Sequence, residues 1–213
     1  EVFSPTRVTG IASKMNLVGG LALDLTTNDP DDGEPWDFNI RAKREKALRF
    51  IREKKALLVI GSPMCRAFSQ MQNINMSRMD TVKWDNMLKE GRAHLKFCTQ
   101  LYQVQLDNGG YFLHEHPNAA TSWQLPEMQK LLSHPSVFRT KGDMCAYGMK
   151  SSDEKGEGLV KKPTGWATNS PFTSRAVSEQ CSNRWRGAAH RHVHLLSGRA
   201  KAAEVYSPKL CKA

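Results

Sequence analysis

The apolar run 56–60, Ala-Leu-Leu-Val-Ile, is the most strand-like stretch of the chain, and Gly61-Ser62-Pro63 stops it abruptly. Around it, periods of two and of three to four residues alternate. Residues 1–4 form the tail of a strand, 8–16 a short helix, and Gly19-Gly20 turns the chain into a strand at 21–25. An acidic loop over 28–35 leads through Trp36-Asp37-Phe38 into a basic amphipathic helix on which Ile40, Ala47, Leu48 and Ile51 share a face.

Beyond the 56–60 strand, the polar stretch 70–79 has no period and reads as a loop able to close over a ligand. Leu88, Leu95, Cys98, Leu101, Tyr102 and Gln105 then mark a long helix ended by Asp107-Asn108-Gly109-Gly110. A strand at 111–115 stops at Pro117, and a helix follows over 126–132. Short strands are expected at 137–139, 145–147 and 165–168, with a Gly- and charge-rich connection over 151–162. Residues 181–198 show no readable pattern. The alternation predicts an α/β fold of the Rossmann-like class, a mainly parallel sheet with helices on both faces, in a single domain over 1–213.

Composition adds a partner. Lys and Arg number 31 against 21 Asp and Glu, a net charge of +10 that favours a polyanion such as nucleic acid. Part of that excess lies in the single stretch 41–46 and is equally that of a solvated helix face. No apolar run approaches the roughly 20 residues that span a bilayer. The 5 cysteines form no close Cys-x-x-Cys pair, which points to a reducing, intracellular compartment, nuclear in a eukaryote and otherwise cytoplasmic. A start at Glu1 without methionine and an end inside an apparent helix read as an excised segment, a monomer or part of a larger polypeptide.

Four features fall at strand ends, where ligands of open α/β sheets gather. They are Phe3-Ser4-Pro5-Thr6, Asp24, Cys65 and Glu115. An acidic side chain after the second strand suits a ribose, so Asp24 implies a nucleoside-bearing cofactor; its plain alternative is to cap the following turn. Cys65 is a candidate nucleophile, against the common reading of a lone cysteine as core, and Glu115 a candidate acid–base group or a structural ion pair. Cys98 and Cys145 read as core, Cys181 and Cys211 as unassigned, and Trp84, Trp123 and Trp166 as core anchors.

These residues together resemble the cytosine-5 DNA methyltransferase family. Glu-Val-Phe-Ser at 1–4 is similar to that family's opening strand, and Gly61-Ser62-Pro63-Met64-Cys65-Arg66-Ala67-Phe68-Ser69 to its nucleophile loop. Phe112-Leu113-His114-Glu115-His116-Pro117 resembles its Glu-Asn motif. Cys145-Ala146-Tyr147-Gly148, Lys162-Pro163-Thr164 and Thr168-Asn169 resemble a pattern of compact, phage-type members, and Ala203-Glu204-Val205-Tyr206-Ser207-Pro208-Lys209-Leu210 its closing element. Met64, Arg66 and His116 stand where the family has proline, glutamine and asparagine. Its Gln-x-Arg-x-Arg strand has no counterpart unless Lys161 and Lys162 substitute.

The resemblance implies an S-adenosylmethionine-dependent methyltransferase acting on carbon 5 of cytosine in nucleic acid, DNA before RNA. It implies a cofactor site at Phe3, Ser4, Pro5, Thr6, Asp24, Leu25, Asp37, Ser62, Pro63, Tyr206 and Ser207, and chemistry carried by Cys65, Glu115, Arg66 and Lys162. Arg66, or a helix N-terminus after the loop, would favour the thiolate. Glu115 would hold the base at N3 and the exocyclic amine, with its proton retained by desolvation. Residues 149–198 would be a reduced insertion in place of a full target-recognition domain.

Two other readings stand beside it. One is a catalytically degenerate nucleic-acid-binding domain of a mobile-element polyprotein. The other is a histidine-based metal-binding domain: His114 with His116, or His190 with His192 and His194, would share a face of an extended segment. With no cysteine at a standard zinc spacing beside either group, no metal ligands are assigned.

Overall fold

A computed structural model of the protein describes residues 1–69, 79–185, 187–196 and 198–213. The expected loop at 70–79 lies outside the described residues except for Met79. The basic helix is α1 (Arg41–Lys54), with Lys43, Ala47 and Ile51 buried on one face and Lys55 in the left-handed conformation at its end. Strand β1 (Leu58–Gly61) follows, then α2 (Thr81–Asn108). The Asp80 side chain caps α2 by accepting from the Lys83 N–H, and Gly109, at φ 71°, closes it. Next come β2 (Tyr111–Pro117), α3 (Pro126–Leu132) and β3 (Phe138–Asp143).

A hairpin of β4 (Lys150–Asp153) and β5 (Gly156–Leu159) precedes β6 (Pro163–Thr168) and α4 (Pro171–Ala176). Two-residue strands β7 (Arg184–Trp185) and β8 (Ala188–Ala189), and one-turn helices α5 (Arg199–Ala202) and α6 (Pro208–Cys211), complete the described elements.

The central sheet has the order β1-β2-β6-β3. It is mixed, not mainly parallel: β1 and β2 run parallel, while β6 is antiparallel to both β2 and β3. The chain between β3 and β6 holds a 3-10 turn and the β4–β5 hairpin and no long helix, and an antiparallel neighbour needs no crossover helix. Residues 163–168, inside the stretch read as an insertion, are therefore a strand of the main sheet. The expected strand at 21–25 is reduced to a bridge: Val2 pairs in parallel with Leu23 on one side and with Gly61 on the other. Residues 145–147, expected as a strand, are a 3-10 turn (Met144–Tyr147) closed by Gly148 at φ 77°. The 8–16 helix is likewise a 3-10 helix, Thr9–Met15.

Both faces of the sheet are covered. On one, Phe112 stacks on Tyr102 of α2 with ring centroids 4.6 Å apart, and Trp123, Met128 and Leu131 complete the layer. Val2, Val59, Ala47, Ile51, Phe97 and Leu101 continue it between α1 and α2. On the other, Leu113 and Trp166 pack on Met144, Tyr147, Met149 and Val160. That cover is built from turns and the hairpin more than from helices. Trp123 and Trp166 are core residues as expected, while Trp84 is only half-buried. Among the described residues no helix is long and apolar enough to cross a membrane.

Candidate active site

From Val2 the chain steps outward to Leu23, then returns to the opposite side of Val2 as β1. Strand order therefore reverses between Val2 and β1, the place where open α/β sheets bind ligands beyond their carboxyl ends. A cavity of about 470 Å³ lies there, within the range of small-molecule sites. Its walls include Phe3, Ser4, Pro5 and Asp24 from the first two segments, and Ser62, Pro63, Cys65 and Arg66 from the loop after β1. Glu115 of β2, Lys162 before β6 and Tyr206 complete the group. Because β6 runs antiparallel, its amino end delivers Lys162 to the same edge as the carboxyl ends of β1 and β2.

Four residues expected at the cofactor do not line this cavity. Thr6 is exposed, Leu25 is exposed, and the Asp37 carboxylate accepts the Asn39 N–H. Ser207 caps α6 and donates to the Tyr147 carbonyl. Asp24 caps its turn, its Oδ1 accepting from the Thr26 N–H and hydroxyl, and it also lies on the cavity wall. Arg7, Thr26 and Glu204 also line the cavity without having been singled out. Glu204 lay inside the quoted closing element, but Arg7 and Thr26 carried no signal in the sequence.

Phe3 holds φ at 58°, a left-handed conformation costly for a bulky side chain. Its ring is fixed by Phe38 and His94, each at 4.8 Å between centroids. The first-strand end thus turns sharply at the cavity, a form of strain that collects at ligand sites. Beside it, burial alone would raise the Glu1 carboxyl. The N–H groups of Arg7, Val8 and Thr9 and the Thr9 hydroxyl outweigh that and hold it below its ordinary value.

The electrostatics around Cys65 differ from expectation. Burial pushes the thiol up, the Glu115 carboxylate adds to that, and Lys162 opposes it. Arg66 is exposed, where water screens its charge, and the loop continues into only one 3-10 turn, Arg66–Phe68. Neither is the thiolate-stabilising element anticipated; Lys162 is the nearby cation that favours it.

Lys162 lies 3.8 Å from Glu115 Oε1, too far for a hydrogen bond, and donates to the Ala203 carbonyl at 3.2 Å. It also sits over the Tyr206 ring at 4.8 Å. Glu115 Oε1 is buried and has no hydrogen-bond partner among the described residues. A buried carboxylate oxygen that accepts no hydrogen bond is uncommon and marks a place where a ligand donor can bind. The Tyr206 hydroxyl, pushed far up by burial and by Glu115, remains protonated.

Alternation along β2 puts His114 and His116 on the face opposite Glu115. His114 Nδ1 pairs with the Tyr102 hydroxyl at 2.9 Å, and His116 Nδ1 pairs with Ser122 Oγ. Burial holds both imidazoles neutral. They are core polar groups, separated from the cavity by their own strand. A different group of metal-ligating side chains does converge: Cys145, Cys181, His190 and His192 place their donor atoms within 4.8 Å of one another. Cys145 is buried as expected, but it is not merely core, and 35 intervening residues hid its relation to Cys181.

No protein-family model, curated protein or solved structure matches this chain.

Proposed function

We propose that the protein is a methyltransferase of the Rossmann-like class, transferring a methyl group from S-adenosylmethionine to carbon 5 of cytosine in nucleic acid, DNA before RNA. The observation that carries this reading is the convergence on one cavity at the sheet's switch point of Cys65 and the Glu115 carboxylate, whose buried Oε1 accepts no hydrogen bond among the described residues. The outward winding of the strands in both directions from Val2 and β1 supports it, as does the +10 charge.

S-adenosylmethionine would supply an activated methyl group. Phe3, Ser4, Pro5 and Asp24 would hold it, the carboxylate at the second strand's end suiting a ribose. Cytosine carbon 5 is a poor nucleophile. Addition of the Cys65 sulfur to carbon 6 makes carbon 5 enamine-like, and the target base must first leave its stack, at a cost of a few kcal/mol.

The surroundings of Cys65 give this chemistry an order. In the free protein, burial and the Glu115 carboxylate keep the sulfur protonated. When Glu115 takes up a proton, shares it with N3 of a base and accepts from the exocyclic amine, its negative charge is lost and Lys162 becomes the dominant field on the thiol. Sulfur activation then follows base docking.

The test is methyl transfer to DNA and RNA pools by the wild type and by Cys65→Ser. Incorporation into cytosine that disappears in the variant supports the proposal. Saturable S-adenosylmethionine binding without incorporation would instead favour the degenerate, binding-only relative. No binding and no incorporation would reject the methyltransferase reading.

A further inference from the structure

We propose that Cys145, Cys181, His190 and His192 bind one zinc ion, which ties residues 181–196 to the sheet. Cys181 Sγ lies 3.5 Å from His190 Nε2 and 3.3 Å from His192 Nε2, and the two Nε2 atoms are 2.9 Å apart. Zinc–sulfur bonds of about 2.3 Å and zinc–nitrogen bonds of about 2.0–2.1 Å set tetrahedral S···N edges near 3.5 Å and N···N edges near 3.3 Å. The observed S···N edges match within a few tenths of an ångström. The nitrogen pair needs only a small spread to admit the ion.

Three separate parts of the chain build the site, each held by bonds that do not involve the donors themselves. Cys145 sits in the 3-10 turn after β3. The Asp143 N–H donates to the Glu179 carbonyl at 2.9 Å, and Asp143 Oδ2 accepts the Cys181 N–H at 2.9 Å, which fixes 179–181 against the end of β3. Leu159 of β5 donates to the Arg191 carbonyl and accepts from the Val193 N–H, so 191–193 is extended. Alternation then sends Val193 to the core and presents His190 and His192 together.

The Asn183 N–H donates to Cys181 Sγ at 3.3 Å, a contact that helps to fix the direction of the sulfur. Two thiolates and two neutral imidazoles suit zinc among the common divalent ions and neutralise its charge. Four protein donors leave no open position, as in a structural centre. Cys181 and His190 also line a cavity of about 810 Å³, through which an ion can reach them.

The segment needs such a tie. Between 181 and 196, Val193 is the one buried apolar side chain among the described residues, and β7 and β8 are two residues each. Burial this sparse does not order a segment, whereas metal binding couples directly to folding and releases the two thiol protons.

Elemental analysis of the full chain, purified under reducing conditions without chelator, tests the proposal. The expected result is about one zinc per chain, lost in Cys181→Ser and in His192→Ala but kept in Cys211→Ser and His194→Ala. Because a variant can fail to fold, cobalt titration of zinc-stripped wild type is the second measurement. A thiolate-to-cobalt absorption band that saturates at about one equivalent is expected. Zinc-free wild type after reconstitution, undiminished zinc in Cys181→Ser, no cobalt band, or a native Cys145–Cys181 disulfide would each overturn the proposal.

Discussion

Two thiol environments sit at opposite ends of this molecule's chemistry, and they differ in what faces the sulfur. Around Cys65 the neighbours are a carboxylate, an ammonium and open cavity, so the sulfur has nothing to bind and room for a substrate atom. Around Cys145 and Cys181 the neighbours are another sulfur and two imidazoles, all aimed at one point. The first arrangement holds a thiol in reserve; the second consumes it as a ligand. Cysteine reactivity is decided by such surroundings more than by burial, since Cys65 and Cys181 are both half-buried.

The largest effect expected from this contrast is a crossed pair of losses. Cys65→Ser should lower methyl transfer on the order of 10³-fold or more with the thermal midpoint unchanged. Cys181→Ser should lower the midpoint while leaving alkylation of Cys65 at its wild-type rate. Both readouts moving together in either variant would break the comparison.

Glu115→Gln comes next and has two outcomes of opposite sign. Losing the carboxylate should cut methyl transfer by about 10²-fold or more. The same change lowers the Cys65 thiol toward its ordinary value, so iodoacetamide should react faster at pH 8 than with wild type. Lys162→Met should do the reverse to the thiol, slowing alkylation a few-fold.

Gly61→Ala probes the strand that delivers Cys65. An added Cβ would lie 2.0 Å from the Tyr102 hydroxyl and 3.3 Å from Cys98 Sγ, so denaturant unfolding should show a loss of about 1–3 kcal/mol.

The smallest effect is in alkali. Burial pushes the Cys98 thiol up to about 12 from 9.0. A folded state that keeps this proton is favoured fully below pH 9 and loses that advantage as pH rises toward 12. Unfolding free energy measured across that window should decline, and Cys98→Ala should flatten the slope.

Much of the fold was legible because local chemistry and global position agreed. Gly109 ended the long helix, Pro126 opened α3, and Pro117 stopped β2 where the sequence placed them. The direction of β6 was not legible, since a short buried strand reads the same either way along a sheet. Cys145-Ala146-Tyr147 looked like a strand because all three are apolar, and only Gly148 in the left-handed conformation shows the turn. Cys65, Glu115 and Lys162 could be found from quoted motifs, but their mutual field could not. Arg66 neighbours Cys65 in sequence, whereas Lys162, 97 positions away, acts on its sulfur. The Cys145, Cys181, His190 and His192 group was invisible for the same reason, its members gathered from three separate parts of the chain.

The central claim is that Cys65 and Glu115 act together on one base. Incubation of the wild-type chain with S-adenosylmethionine and oligonucleotides carrying 5-fluorocytosine tests it, because that base cannot release the enzyme after methyl transfer. The account predicts a methylated adduct whose peptide mass maps to Cys65 and which fails to form in Glu115→Gln. Absence of any adduct, or attachment at another cysteine, would contradict it.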